Sequence, residues 1–199
     1  MTALRARISS SVRTPRLPDP PYRLELGAGP RHREGWTSVD IMPGADLVAD
    51  VRWRVPLPDS SCTAIFSEHL LEHLRFKDEV PSMLAECMRL LSPGAPIRFS
   101  VPDASLYVRG YAGGDLAYLR RLHPADAVAA STAMTTVNWA FHGYGHRFGW
   151  DAETLVRVLE AAGFEEVEER GFGDSRYAGL AVETEERALE SFYVEGRKP

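Results

Sequence analysis

His142 and His146 stand four residues apart in Asn138-Trp139-Ala140-Phe141-His142-Gly143-Tyr144-Gly145-His146-Arg147-Phe148, a run that interleaves imidazoles with aromatic rings. Histidine is the usual proton acceptor near neutral pH. Either residue can therefore act as general base toward a hydroxyl held among these rings. His142 is preferred, because Arg147 stands beside His146. The i, i+4 spacing would suit a metal on a helix, but Gly143 and Gly145 disfavour a helix there, so no metal ligand set is assigned. A purely structural role in a packed loop is the competing reading. Trp139, Tyr144 and Arg147, with Asp103 and Tyr107 upstream, offer stacking surfaces and hydrogen bonds to a polar, hydroxyl-rich ligand.

A second group of candidates lies at predicted strand ends. Tyr22-Arg23-Leu24-Glu25-Leu26 alternates like a half-buried strand and runs into Gly27-Ala28-Gly29-Pro30. The two glycines allow unusual backbone angles and close approach of a ligand. Glu25 precedes the turn, where a carboxylate can meet a cationic group. The next strand, Trp36–Ile41, follows too soon for a helix of ordinary length in between. Asp40 near its end can take a ribose diol. A dinucleotide fingerprint would need a third glycine where His32 stands, so a nicotinamide cofactor is disfavoured while a nucleoside-like ligand is retained.

The elements that must position these groups follow in order. Ala45–Val51 reads as a third strand ending near Asp50. Ala64-Ile65-Phe66 is a central strand that delivers Ser67, Glu68 and His69 to the same sheet edge. His69 is read either as touching a ligand or as opening a short helix, and Glu72 and His73 as helical surface or structural groups. Val80, Met83, Leu84, Cys87, Met88 and Leu91 recur on one face of a helix over Glu79–Leu91, capped by Asp78 and stopped by Pro93-Gly94. Ile97–Val101 is a strand that leads to Asp103. A helix over Asp151–Ala162 and strands at Phe164–Arg170 and Ser191–Glu195 complete the pattern. Residues 104–149 are too long and too aromatic for a plain crossover and are read as a lid-like insertion, with a helix after Pro124.

Leu24-Glu25-Leu26-Gly27-Ala28-Gly29, Asp40, Pro56-Leu57-Pro58-Asp59-Ser60-Ser61, Ile65-Phe66-Ser67-Glu68-His69-Leu70-Leu71-Glu72-His73-Leu74 and Arg89-Leu90-Leu91-Ser92-Pro93-Gly94 together resemble the class I S-adenosylmethionine-dependent methyltransferases. The resemblance covers roughly residues 22–170. It is similar to a small bacterial subgroup with a short link between the first two strands, often associated with saccharide or secondary-metabolite modification. Cys62-Thr63 departs from the aromatic–Asp pair usual there. The resemblance implies a Rossmann-like α/β fold, a mostly parallel sheet with an antiparallel edge strand (Ser191–Glu195) and helices on both faces. It implies S-adenosylmethionine as cofactor, with Glu25, Gly27, Gly29, Asp40, Asp50, Glu68 and His69 around it and Asp50 at the adenine. It implies an acceptor that is a saccharide or another small molecule, with O-methylation of a sugar or polyol preferred. N- or C-methylation of a small metabolite, or a non-catalytic cofactor-binding subunit, are the alternatives. The need for a divalent metal is left open.

The chain has 199 residues, a net charge of −5 and 26% charged residues. Length suits one domain over 22–199, behind a flexible Pro- and Arg-containing arm at 1–21. The acidic balance argues against a nucleic-acid partner, although Arg5, Arg7, Arg13 and Arg16 cluster at the start. No apolar run reaches membrane-helix length, and no apolar stretch of the signal-peptide kind opens the chain. A cytoplasmic protein without membrane partner is expected, with a homodimer left open. Cys62 and Cys87 form no disulfide framework, and Cys87 is expected to be a buried thiol.

Overall fold

The computed structural model describes residues 17–122 and 132–199. Seven strands form one sheet: β1 (Tyr22–Leu26), β2 (Thr37–Asp40), β3 (Leu47–Val48), β4 (Cys62–Glu68), β5 (Pro96–Pro102), β6 (Glu165–Arg170) and β7 (Ser191–Arg197). Their spatial order is β3-β2-β1-β4-β5-β7-β6. The pairs from β3 through β5 are parallel, and β7 runs antiparallel between β5 and β6. The chain order reverses between β1 and β4. In open α/β sheets, ligands bind outside the carboxyl ends of the strands at such a reversal. Here those ends are Leu26 and Glu68.

Helices α1 (Glu79–Leu90) and α5 (Ala152–Ala161) cover one face of the sheet. Their stripes explain it. Val80, Met83, Leu84, Cys87 and Leu90 of α1, with Leu155 and Leu159 of α5, are buried against Leu24, Ile65, Phe99 and Val194. Asp78 accepts from the Glu79 amide, the cap expected from the sequence, and Asp151 caps α5 by accepting from the Thr154 amide. Among the described residues, the opposite face is covered by residues 171–190 rather than by a long helix. There Leu180 packs on Trp36, Ala64 and Phe66. Arg98, wholly buried, is held by Glu183 and Glu195.

The insertion after β5 folds into α2 (Ala104–Ala112), α3 (Leu116–Leu122) and α4 (Ala133–His142), followed by a 3-10 turn at Gly143–Gly145. Tyr107, Leu119 and Leu122 form a core for it, with Val137 and Ala140 packed alongside. Its two ends are joined: Asp103 and Trp150 form a β-bridge, and the Ala104 amide donates to the Trp150 carbonyl at 2.8 Å.

Two expectations change in detail. The strand read over Ala45–Val51 shrinks to Leu47–Val48, because the Asp46 carboxylate turns to the Ser38 amide and hydroxyl and Asp50 folds back on Arg52. Trp36–Ile41 likewise pairs only over Thr37–Asp40. As the short link required, residues 27–36 contain no helix. The arm at 1–16, with its arginine cluster, and the segment directly after Pro124 lie outside the described residues. Among those described, no helix is long and apolar enough to cross a membrane.

Candidate functional site

A cleft opens at the carboxyl ends of β1, β2 and β4, in two lobes. The smaller, of about 150 Å³, lies over Val39, Asp40, Ala49, Asp50 and Leu74. The larger, of about 670 Å³, runs from Gly29 and Arg31 past Glu68 and His69 to Tyr144 and His146. Gly27 and His73 line both lobes. The combined size is that of a small-molecule site.

The first lobe is built by main chain and held by carboxylates. Gly27 has φ +73°, and a Cβ there would stand 3.0 Å from the Leu70 Cβ, so the turn at that point requires glycine. Asp40 at the end of β2 accepts the Gly29 amide at 2.8 Å through one oxygen and the Met42 amide at 2.8 Å through the other. It thereby fixes the turn and keeps lone pairs toward the lobe. Asp50 is held by Arg52 at 2.7 Å, and Arg52 reaches on to Glu79 at 2.8 Å. The Arg52 hydrogen bond keeps the Asp50 carboxyl below its ordinary range, against a smaller opposing effect of burial.

The second lobe is assembled from distant parts of the chain. His69 follows β4 in the left-handed region (φ +53°) and its Nε2 lies 2.8 Å from the Ser191 hydroxyl. A 3-10 turn at Leu71–His73 carries Glu72, which is only 2% exposed. Both Glu72 oxygens lack a hydrogen-bond partner; His69 Nδ1 is 3.6 Å away and His73 Nε2 3.9 Å away. Burial pushes the Glu72 carboxyl up to about 8 and the His69 imidazole down to about 3, with Arg187 adding to the latter. His73 is also lowered, chiefly by burial and then by His146. The His146 ring meets the His73 ring edge-on at 5.0 Å. A recess of about 50 Å³ lined by Tyr107, Trp150 and Glu190 continues behind these groups.

The structure places the expected residues unevenly. Gly27, Gly29, Asp40, Asp50, Glu68, His69, Tyr107, Tyr144 and His146 line the cleft. Glu68 is buried there, accepting from Arg31 and from the Thr184 amide and hydroxyl. Glu25 is not among the lining residues: it projects to the loop-covered face and pairs with Arg33 at 3.1 Å. His142, the preferred base in the sequence, is exposed at the end of α4 and lines neither lobe, whereas His146 lines the larger one. Asp103 caps α2 through the Ser105 amide at 2.9 Å. Trp139 supports Tyr144 edge-on at 5.6 Å from behind, and the exposed Arg147 contributes its amide, not its guanidinium, by donating to the Glu72 carbonyl at 2.7 Å. Sequence reasoning set aside Glu72 and His73 as surface or structural groups. The glutamate's place between Leu71 and Leu74, both buried, was the available sign that it faces inward. Arg31, Arg187 and Glu190, which also line the cleft, carried no comparable sign.

Residues 33–99 match the family described as a methyltransferase domain. No curated protein matches the chain by sequence. Solved structures share the fold at low identity. A SAM-dependent methyltransferase from Archaeoglobus fulgidus is 17% identical with a TM-score of 0.54, covering 89% of this chain and 86% of that one. A complex of the Haloferax volcanii Trm112 methyltransferase activator with a methyltransferase gives 17% and 0.56, covering 94% and 87%. A SAM-dependent methyltransferase from Thermotoga maritima, described in its title as a possible histamine N-methyltransferase, gives 17% and 0.54, covering 92% and 84%.

Proposed function

We propose that this chain, whose residues 33–99 match a methyltransferase-domain family, is a class I S-adenosylmethionine-dependent methyltransferase that methylates a hydroxyl of a sugar or similar polyol. The observation that carries this reading is the two-lobed cleft sharing Gly27 and His73. The smaller lobe suits the nucleoside: Asp40 for the ribose hydroxyls and Asp50 for the adenine edge. Arg31, beside the glycine turn, suits the methionine carboxylate. The sulfonium methyl then faces the larger lobe.

A methyl sulfonium is already activated, so the protein's main task is alignment of donor and acceptor. A hydroxyl also has to lose its proton, and assistance with that step is worth ~10²–10⁴ in rate. The larger lobe supplies Glu72, His73 and His146 for that purpose. Its other groups, Glu68, Arg187, Glu190 and Tyr144, offer the mixed hydrogen bonds and ring surface that a polyol needs. Glu25 has no ligand contact in this reading; it holds Arg33.

The test is turnover of S-adenosylmethionine with a panel of saccharides, read as a gain of one methyl in acceptor mass. His146→Ala is expected to lower kcat by ~10²-fold or more with cofactor affinity unchanged, while His142→Ala stays near wild type. Equal activity of both variants would remove the histidine lobe from the chemistry. Methyl transfer confined to amines would replace the hydroxyl acceptor.

A further inference from the structure

Glu72 is an unusual group to leave without a partner. A carboxyl group this deeply buried either keeps its proton or needs a cation or hydrogen-bond donors to ionise, and neither of its oxygens has a hydrogen bond. Its nearest polar neighbours are ring nitrogens. One ligand atom from each of Glu72, His73 and His146 can be chosen so that all lie within 4.8 Å of one another. Donors bonded at ~2.0–2.2 Å to one tetrahedral ion stand about 3.3–3.6 Å apart. Side-chain rotations that bring the donors about 1 Å closer close the set.

The surroundings also favour it. The Nδ1 of His146 lies 2.7 Å from the Ala140 carbonyl. A carbonyl only accepts, so Nδ1 carries the hydrogen and Nε2 keeps its lone pair. A ligating histidine is commonly oriented by a backbone carbonyl in this way. The loop bearing His146 is fastened to the turn bearing Glu72 and His73: the Arg147 and Phe148 amides donate to the Glu72 carbonyl at 2.7 and 3.3 Å. The set is thus held by main chain.

We propose that Glu72, His73 and His146 bind a divalent first-row transition metal ion at the junction of the two lobes. Two imidazoles and one carboxylate suit zinc, manganese or ferrous iron, whereas magnesium and calcium take oxygen ligands. Three protein ligands leave positions open toward the larger lobe. The site rests on these side chains; its use rests on the methyl-transfer reading. In that use the acceptor oxygen takes an open position, its proton passes to solvent, and the oxygen displaces the sulfonium sulfur, which keeps the electron pair of the broken C–S bond. His146 is then a ligand, and the ion lowers the hydroxyl pKa.

The test is cobalt(II) titration of the chelator-treated full chain, followed by visible absorption and calorimetry. One equivalent with ligand-field bands is expected. Glu72→Gln and His146→Asn should each weaken binding by ~10²-fold while far-UV circular dichroism and S-adenosylhomocysteine affinity stay as in wild type. Absence of saturable cobalt binding in the wild type, or binding unchanged in both folded variants, would overturn the site. Full methyl transfer after chelation, without cobalt bands, would do the same and leave the methyltransferase reading standing. Cobalt bands in a chain that transfers no methyl group would sink that reading and keep the site.

Discussion

At the Gly27–Asp50 end of the cleft, the carboxylates are engaged by the protein itself: Asp40 takes two backbone amides and Asp50 is clasped by Arg52. At the Glu72–His146 end, the buried carboxylate has no hydrogen bond and its imidazole neighbours stand 3.6 and 3.9 Å off. Protonation follows the same division. The Asp50 pKa is lowered by its arginine, whereas that of Glu72 is raised by burial. A satisfied site holds one ligand in one pose. An unsatisfied one keeps its polar groups available for a reacting oxygen or an ion, and perturbed groups of this kind are characteristic of reacting centres. In the proposed reading, this difference separates the end that binds from the end that reacts.

That division can be broken or sharpened by substitution, beginning with the largest expected effect. Gly27→Val should abolish cofactor binding and destabilise the fold by ~2 kcal/mol or more. The added Cβ would meet Leu70, and the positive φ strains a branched residue. Thermal unfolding and calorimetry check it, and a variant of wild-type stability would show that the turn relaxes. His146→Ala comes next, with its ~10²-fold loss in kcat and unchanged cofactor Kd. A change in Kd as large as that in kcat would erase the distinction between the two ends.

Asp40→Ala is expected to weaken S-adenosylmethionine by ~1.5–3 kcal/mol, through loss of charge-assisted hydrogen bonds to the ribose and of the anchor on Gly29. At saturating cofactor its kcat should stay close to wild type. The smallest effect is an acid one at Asp50. Its folded pKa lies below the ordinary 3.8, so its contribution to stability is fully present above about pH 4 and is lost as pH falls through the folded value. Asp50→Asn should flatten the acid limb of the stability curve and lower stability near neutrality by the amount that limb carries in the wild type, the two proteins converging at low pH. An equally steep acid limb in the variant would assign it to other carboxylates.

The same two ends differ in how far the sequence discloses them. Gly27, Gly29, Asp40 and Asp50 fall within 24 residues, and their spacing at the ends of adjacent short strands is local information. The stripes of α1 and α5, their caps and most strand positions were legible for the same reason. The histidine end joins residues 69–73 to residue 146 and to Ser191, contacts that no periodicity encodes. Along the chain only the neighbouring Arg147 separates His146 from His142, and it favours His142. Only the end of α4 and the left-handed Tyr144 (φ +54°) turn one outward and the other in. Glu25 misled because alternation along β1 puts it on the loop-covered face, where Arg33 meets it.

The central claim is that one cleft holds the cofactor's nucleoside at Asp40 and presents its sulfur to the Glu72–His146 end. The crystal structure of the chain with S-adenosylhomocysteine tests this most directly. The expected result is ribose hydroxyls within hydrogen-bond distance of Asp40 and a sulfur facing the lobe lined by His73 and His146. A ribose bound away from Asp40, or a sulfur turned from that lobe, would contradict it.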